Sequence, residues 1–281
     1  LRERLLGAFG SIDAPPDADG FEVDAAEVRA GELGPWLAAH TSGRVGVVCL
    51  GTFAAGAGDL HHIALAAADD AATVIDVAQL SADDDAALAA YLADEDRPKV
   101  VHNAKPQLGA LAARGWSVAG VVCDTELAAY LLLPGQRSFD VADLVQRYLR
   151  RSIDAGSDGS EAQLSLIDDG ASDRSSMVQA RALVDLAAAL EAELDAAEQL
   201  PLLHDLEIPV MRVLAAMEQA GIAVDADYLD ELRAEFAAQG RQAEQAALAT
   251  VGGREVNLGS PKQLQAVLFD DLGMPKTKKT K

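Results

Sequence analysis

The sequence predicts a layered α/β domain over residues 21–200, followed by an all-helical segment over 201–281. Three observations carry this prediction. Short apolar runs alternate with helical patterns as far as residue 150. Nearly every pattern from Met177 onward is helical. Between them, residues 154–176 are rich in Asp, Ser and Gly, a composition that cannot build a core.

The elements follow in order. Residues 1–12 are a short charged and apolar segment, and Asp13-Ala-Pro-Pro-Asp-Ala-Asp-Gly20 is a linker, so 1–20 reads as the tail of something upstream. Val45-Gly-Val-Val-Cys-Leu50 suits a buried strand, 56–58 a turn, 63–67 a second strand and 74–77 a third. Ser81, with Asp84 three residues on, predicts a capped helix to Ala93, and Asp83, Asp84 and Asp85 suit its positive end. Then come a strand over 98–103, a helix over 107–113, a strand over 118–122 and helices over 126–133 and 140–150. Helices are predicted over 177–194, 206–220, 228–249 and 261–272, with the domain boundary near Gln199-Leu-Pro201.

Half of the 281 residues are hydrophobic, enough for two ordinary cores. No apolar run reaches the roughly 18 residues that span a bilayer, and no signal-peptide pattern opens the chain, so a cytoplasmic protein without a membrane partner is expected. The two cysteines, Cys49 and Cys123, lack CxxC or His-rich spacing and predict neither a disulfide framework nor a zinc site. The net charge of −22 argues against wrapping nucleic acid along the whole surface. Residues 254–281 carry six basic and three acidic residues, +3, which leaves −25 on the rest. Any contact with nucleic acid is therefore expected at the C-terminal end.

Two segments carry a family resemblance. Glu207-Ile-Pro-Val-Met-Arg-Val-Leu-Ala-Ala-Met-Glu-Gln-Ala-Gly-Ile-Ala-Val-Asp225 and Asn257-Leu-Gly-Ser-Pro-Lys-Gln-Leu-Gln-Ala-Val-Leu-Phe269 stand in order. They resemble the start of the polymerase domain and the thumb motif of family A DNA polymerases. The residues agree on their own terms: Ser260 can cap a helix with Pro261 at its first position, and Leu264, Val267 and Leu268 then share one apolar face. Upstream, His102-Asn-Ala-Lys-Pro-Gln-Leu-Gly-Ala-Leu-Ala-Ala-Arg-Gly115 and Cys123-Asp-Thr-Glu-Leu-Ala-Ala-Tyr-Leu-Leu-Leu-Pro134 resemble the second proofreading-exonuclease motif and the helix after it. The resemblance implies a ribonuclease-H-like (DnaQ-type) exonuclease fold joined to the first part of the thumb.

Active relatives hold two divalent metals on carboxylates from three motifs, one metal for the attacking water and one for the leaving oxygen. Matching the first motif, Asp-x-Glu, puts Cys49 and Gly51 at the acidic positions. The second puts Gln107 at the aspartate, and the third, Tyr-x-x-x-Asp, puts Met177 at the tyrosine and Arg181 at the aspartate. All four metal carboxylates are absent by this matching, so no metal and no 3′→5′ exonuclease activity are expected in this stretch. Asp124-Thr-Glu126 has the Asp-x-Glu spelling but opens a helix after a later strand, His204-Asp205 has no second aspartate motif downstream, and His61-His62 alternates faces on a strand.

The resemblance further implies that the magnesium ions belong to a palm, which with the fingers would lie in the same natural chain, and that a 5′ nuclease domain precedes residue 1. It implies a thumb that holds primer-template DNA by phosphate and sugar contacts, which position without reading sequence. Lys262, Lys276, Lys278, Lys279 and Lys281 are the candidates, with Asn257 and Ser260 as hydrogen-bonding partners. A free-standing exonuclease of the ribonuclease D kind would need the missing carboxylates. An acidic adaptor would leave 257–269 unexplained.

Overall fold

A computed structural model describes residues 20–54, 57–153, 169–253 and 256–275. The upstream segment 1–19, the stretch 154–168 and Lys276, Lys278, Lys279 and Lys281 lie outside the described residues. The chain divides into two compact units, Leu1–Gly221 and Ile222–Lys281.

The first unit is built on a six-stranded sheet in the order β1-β4-β3-β2-β5-β6. β2 (Val45–Ala54), β3 (Ala57–Ala67) and β4 (Ala71–Asp76) form an antiparallel meander. β5 (Lys99–Val101) and β6 (Val121–Asp124) add to β2 in parallel, while β1 (Asp24–Ala25) lies parallel to β4. Parallel neighbours need a crossover, and α3 (Ala104–Ala113) provides it between β5 and β6. The remaining helices of this sheet layer are α1 (Leu33–His40), α2 (Ala82–Ala93), α4 (Thr125–Leu132), α5 (Val141–Leu149) and α6 (Asp169–Ala196).

Helix α6 packs across β2 and β3 and against α4 and α5, burying Leu183, Leu186, Leu190 and Leu194 completely. Its approach to β2 is set by Gly46, where a Cβ would stand 1.8 Å from the Ala180 carbonyl oxygen. Helix backbone and strand backbone touch there, which only glycine permits.

The meander is longer than its apolar runs. β2 and β3 stay paired beyond Leu50, through a bulge at Leu50/Gly51, to Ala54 opposite Ala57. Sheet pairing carries the strands past the end of the hydrophobic pattern. Helix α6 similarly begins at Asp169, so residues 169–176, expected as loop, are helical. A polar first turn is sustained once the apolar turns behind it are docked.

The chain is helical again from Leu200, earlier than residue 206. An α-turn at Leu200–Leu202 and a π-wound turn at Leu203–Glu207 lead into α7 (Ile208–Ala220). Pro209 has no N–H to give the carbonyl four residues back, and the wider turn stands just before it. Leu203, Ile208 and Met211 are buried, and α7 packs on α3 within the first unit.

The second unit has α8 (Ala226–Thr250), capped by Asp225, which accepts from the Tyr228 N–H at 2.9 Å. α9 (Pro261–Gln265) runs into a π-wound turn at Ala266–Asp271. Val267 is the buried residue of that turn, with Leu264 and Leu268 half-buried beside it on the expected face.

Candidate functional site

The positions matched to the first exonuclease motif fall on β2 at its bulge. Cys49 is a buried free thiol, pushed up to about 12 by burial, and so is inert at neutral pH. At Gly51 a Cβ would stand 2.1 Å from the carbonyl oxygen of Asp59 and 3.1 Å from the Leu60 Cα. The hairpin backbone of β3 therefore fills the space a side chain would need there.

Gln107 lies in the first turns of α3 and turns back on the helix start. Its amide nitrogen donates to the His102 carbonyl at 2.5 Å and to the Asn103 carbonyl at 3.0 Å. Its Oε1 is buried without a hydrogen-bond partner among the described residues. Three residues along α3 from Gln107, Gly58 of the hairpin approaches so closely that a Cβ would lie 2.8 Å from the Ala110 Cβ.

Met177 is buried in α6. Arg181 is 13% exposed and donates to Asp70 at 2.6 Å and to Asp185 at 2.7 Å. Asp70 sits just after β3, close to Ala67, which pairs with Val45 at the start of β2. Cys49 lies three residues along from Gly46, about 10 Å at strand rise. The guanidinium thus serves a carboxylate pair at the start of β2, and its charge is matched there. Among the described residues no group of three or more His, Cys, Asp or Glu side chains is placed to hold a metal ion.

The Asp124 side chain is engaged with backbone. The Asp124 carboxylate accepts from the N–H groups of Asn103 at 3.0 Å and Ala104 at 2.8 Å, and from those of Glu126 at 3.0 Å and Leu127 at 3.4 Å. One buried acid caps both α3 and α4, and their positive ends compensate its charge. His102 bonds Thr125 at 2.8 Å, and burial lowers its pKa below the usual imidazole range. His204 and Asp205 are both exposed on the π-wound turn. His61 is exposed and 3.4 Å from Asp59, and His62 is half-buried.

In the second unit the Asn257 side chain accepts from the Gly259 N–H at 2.9 Å, while the Asn257 N–H donates to Gln263 Oε1 at 2.9 Å. Ser260 accepts from the Gln263 N–H at 3.5 Å. These residues knot the start of α9, leaving Lys262 exposed in its first turn.

Residues 58–158 match the family model of the DNA polymerase I ribonuclease H-like domain, and residues 226–281 match that of DNA polymerase family A. DNA polymerase I of Mycobacterium bovis is 48% identical over the whole chain. The chain belongs to the family A DNA polymerases.

It spans about a third of the length of that relative, 32%. DNA polymerase I of Geobacillus stearothermophilus is 37% identical over 68% of the chain and 22% of its own length. Among solved structures, the POL domain of Pol1 from M. smegmatis, in complex with DNA primer-template and dNTP, superposes with a TM-score of 0.71. It is 47% identical and covers 92% of this chain and 42% of its own. The mixed sheet flanked by helices is thus the ribonuclease-H-like fold of this family, followed by helices at the start of the polymerase region. The ribonuclease-H-like family match includes Gln107, and the polymerase match includes Asn257, Ser260 and Lys262.

Sequence reading missed two polar clamps. Asp84 is buried and accepts from the Gly31 N–H at 2.6 Å, the Leu33 N–H at 3.1 Å and the Ser81 hydroxyl at 2.6 Å, tying α1 to α2. Lys99 is wholly buried on β5, with Nζ donating to the carbonyls of Asp94 at 2.9 Å and Arg97 at 2.8 Å and lying 4.7 Å from the centre of the Tyr91 ring. A Lys opening an apolar strand was the only local signal for the second.

Proposed function

We propose that this chain is the exonuclease-like and leading thumb portion of a DNA-directed DNA polymerase, with no proofreading activity of its own. The observation that carries the reading is Gly51: an acidic position of the first exonuclease motif holds a residue without a side chain, and the Asp59 carbonyl occupies the place of one. Cys49, Gln107 and Arg181 stand at the other three positions, a buried thiol, an amide engaged with backbone and a cation held between two aspartates. None offers a pair of metal-facing oxygens. The exonuclease-like unit then acts as a scaffold for α7 and the thumb.

Polymerisation, with its magnesium ions, belongs in this reading to a palm and fingers carried by the complete protein, a cytoplasmic enzyme preceded by a 5′ nuclease domain. The thumb portion grips primer-template DNA through Lys262 and the lysines at 276, 278, 279 and 281, with Asn257 and Ser260 as hydrogen-bonding partners that also shape the helix start carrying Lys262. The complete polymerase, given a primer with a labelled mismatched 3′ nucleotide, is expected to stall or extend it. Release of the labelled nucleotide before extension would count against the proposal.

A further inference from the structure

Helix α3, which carries Gln107, and helix α7, which leads towards the thumb, pack side by side within the first unit. The start of α3 meets the end of α7. Lys105 Nζ donates to Glu218 Oε1, and the Gln219 side-chain amide donates to the Leu108 carbonyl at 3.4 Å. Near the other end of α7, Arg212 donates to the Val121 carbonyl at 3.4 Å, and Met211 and Ala215 are buried between these ties. The helix is thus fastened along its length, with an ion pair at the end from which the chain leaves.

The charges of that pair run against their own helices. Lys105 is the second residue of α3, where the positive end of a helix disfavours a cation. Asp124 already supplies the anion that this end calls for, and Lys105 does not serve it. Glu218 stands in the last turn of α7, where the negative end disfavours an anion, and no basic residue accompanies it there. Local preference would exchange the two. Each charge suits only its partner, 113 residues away in sequence. A local rule broken in both members of one contact marks a contact that the tertiary arrangement requires.

We infer that Lys105 and Glu218 are a positioning pair, through which the exonuclease-like unit fixes the end of α7 and so the point from which the chain passes to the thumb helices. The inference rests on the reading of this chain as the leading portion of a DNA polymerase. Residues 221–225 alone separate the moored helix from α8. The side chains are 38% and 29% exposed, and a pair so placed adds little to stability, so its signature is positional. Both partners lie inside the first unit, so the pair stands whatever else the complete protein lays against this surface.

The test uses the complete polymerase and steady-state extension of a primer-template duplex. Lys105→Glu and Glu218→Lys should each raise the KM for the duplex about threefold at unchanged kcat, and the double exchange should return KM to within about 1.5-fold of the parent. The single changes alter net charge in opposite directions, so a general electrostatic effect on DNA would raise one KM and lower the other. Loss of folded protein would instead lower kcat and leave KM alone. Melting temperatures should stay within about 2 °C of the parent, because each single change gives its own helix end the charge that suits it. Primer extension by the parent checks the underlying reading separately. With a parent that extends, KM values that stay put, move apart, fail to recover in the double exchange or give way to a fall in kcat would overturn the positioning role alone; a parent that does not extend would overturn both.

Discussion

The carbonyl oxygen of Asp59 lies 2.1 Å from where the Cβ of Gly51 would be. A side chain at the position proposed for an exonuclease-motif acid and the strand that closes the hairpin over it would therefore compete for one space. Absence of a carboxylate and absence of room for one are the same structural fact here.

Restoring the acids should consequently fail to restore chemistry. The triple change Cys49→Asp/Gly51→Glu/Gln107→Asp is expected to lower stability by more than about 3 kcal/mol, since it overpacks the hairpin and buries a charge at Cys49. Urea denaturation followed by circular dichroism measures the first effect. A nuclease assay on the refolded variant should find no 3′ trimming, and efficient trimming would mean that the hairpin yields.

Asp84 should behave as a structural acid. Its carboxyl is held below the usual range, chiefly by the Gly31 N–H and then by the Ser81 hydroxyl. A lowered folded pKa means that the stabilisation is present above the unfolded pKa and lost as pH falls through the folded one. Asp84→Ala is expected to cost about 1–3 kcal/mol at pH 7. The gap between variant and parent should close on acidification below about pH 4, where the unfolded group begins to protonate. Melting temperatures across pH 3 to 7 check it, and a constant gap would contradict the assignment.

Lys99 gives the opposite end of the pH scale. Burial pushes its pKa down to about 8, against which the nearby Asp94 acts only in part. The unfolded lysine, with a pKa near 10.4, then binds more protons than the folded one between about pH 8 and 10.4, so stability from this group rises with pH across that window. Lys99→Met removes that rise and leaves two carbonyls without their donor, at a cost of about 1–3 kcal/mol at neutral pH. Denaturant titrations of both proteins at pH 7 and 9.5 separate the two effects.

For Lys262, exposed at the start of α9, the expectation concerns DNA. In the complete polymerase, Lys262→Ala should weaken primer-template binding for all sequences alike and flatten the slope of log affinity against log salt by about 1. Filter binding at several salt concentrations reads both, and an unchanged slope would remove Lys262 from the contact set.

The alternation of apolar runs and helical patterns made the α/β unit legible, and Ser81 and Ser260 announced helix starts that the structure has. The extent of β2 and β3 was not legible, because residues 51–54 and 57–60 are held in the sheet by backbone pairing and by the close contacts of Gly51 and Gly58, with Phe53 and Leu60 as isolated apolar residues rather than an apolar run. Nor was the setting of Arg181, whose partner Asp70 lies 111 residues away in a turn with no helical or strand signal. The matching of Cys49, Gly51, Gln107 and Arg181 to motif positions rests on local pattern. What surrounds each of those positions depends on contacts between distant segments, as the Arg181–Asp70 and Gly51–Asp59 approaches show.

The most direct measurement is 3′ end-labelled single-stranded DNA incubated with the purified 281-residue chain and either magnesium or manganese. The account predicts full-length DNA after hours with either ion, the same as in chelator. Steady 3′ trimming that follows the protein through further purification and stops on chelation would contradict it.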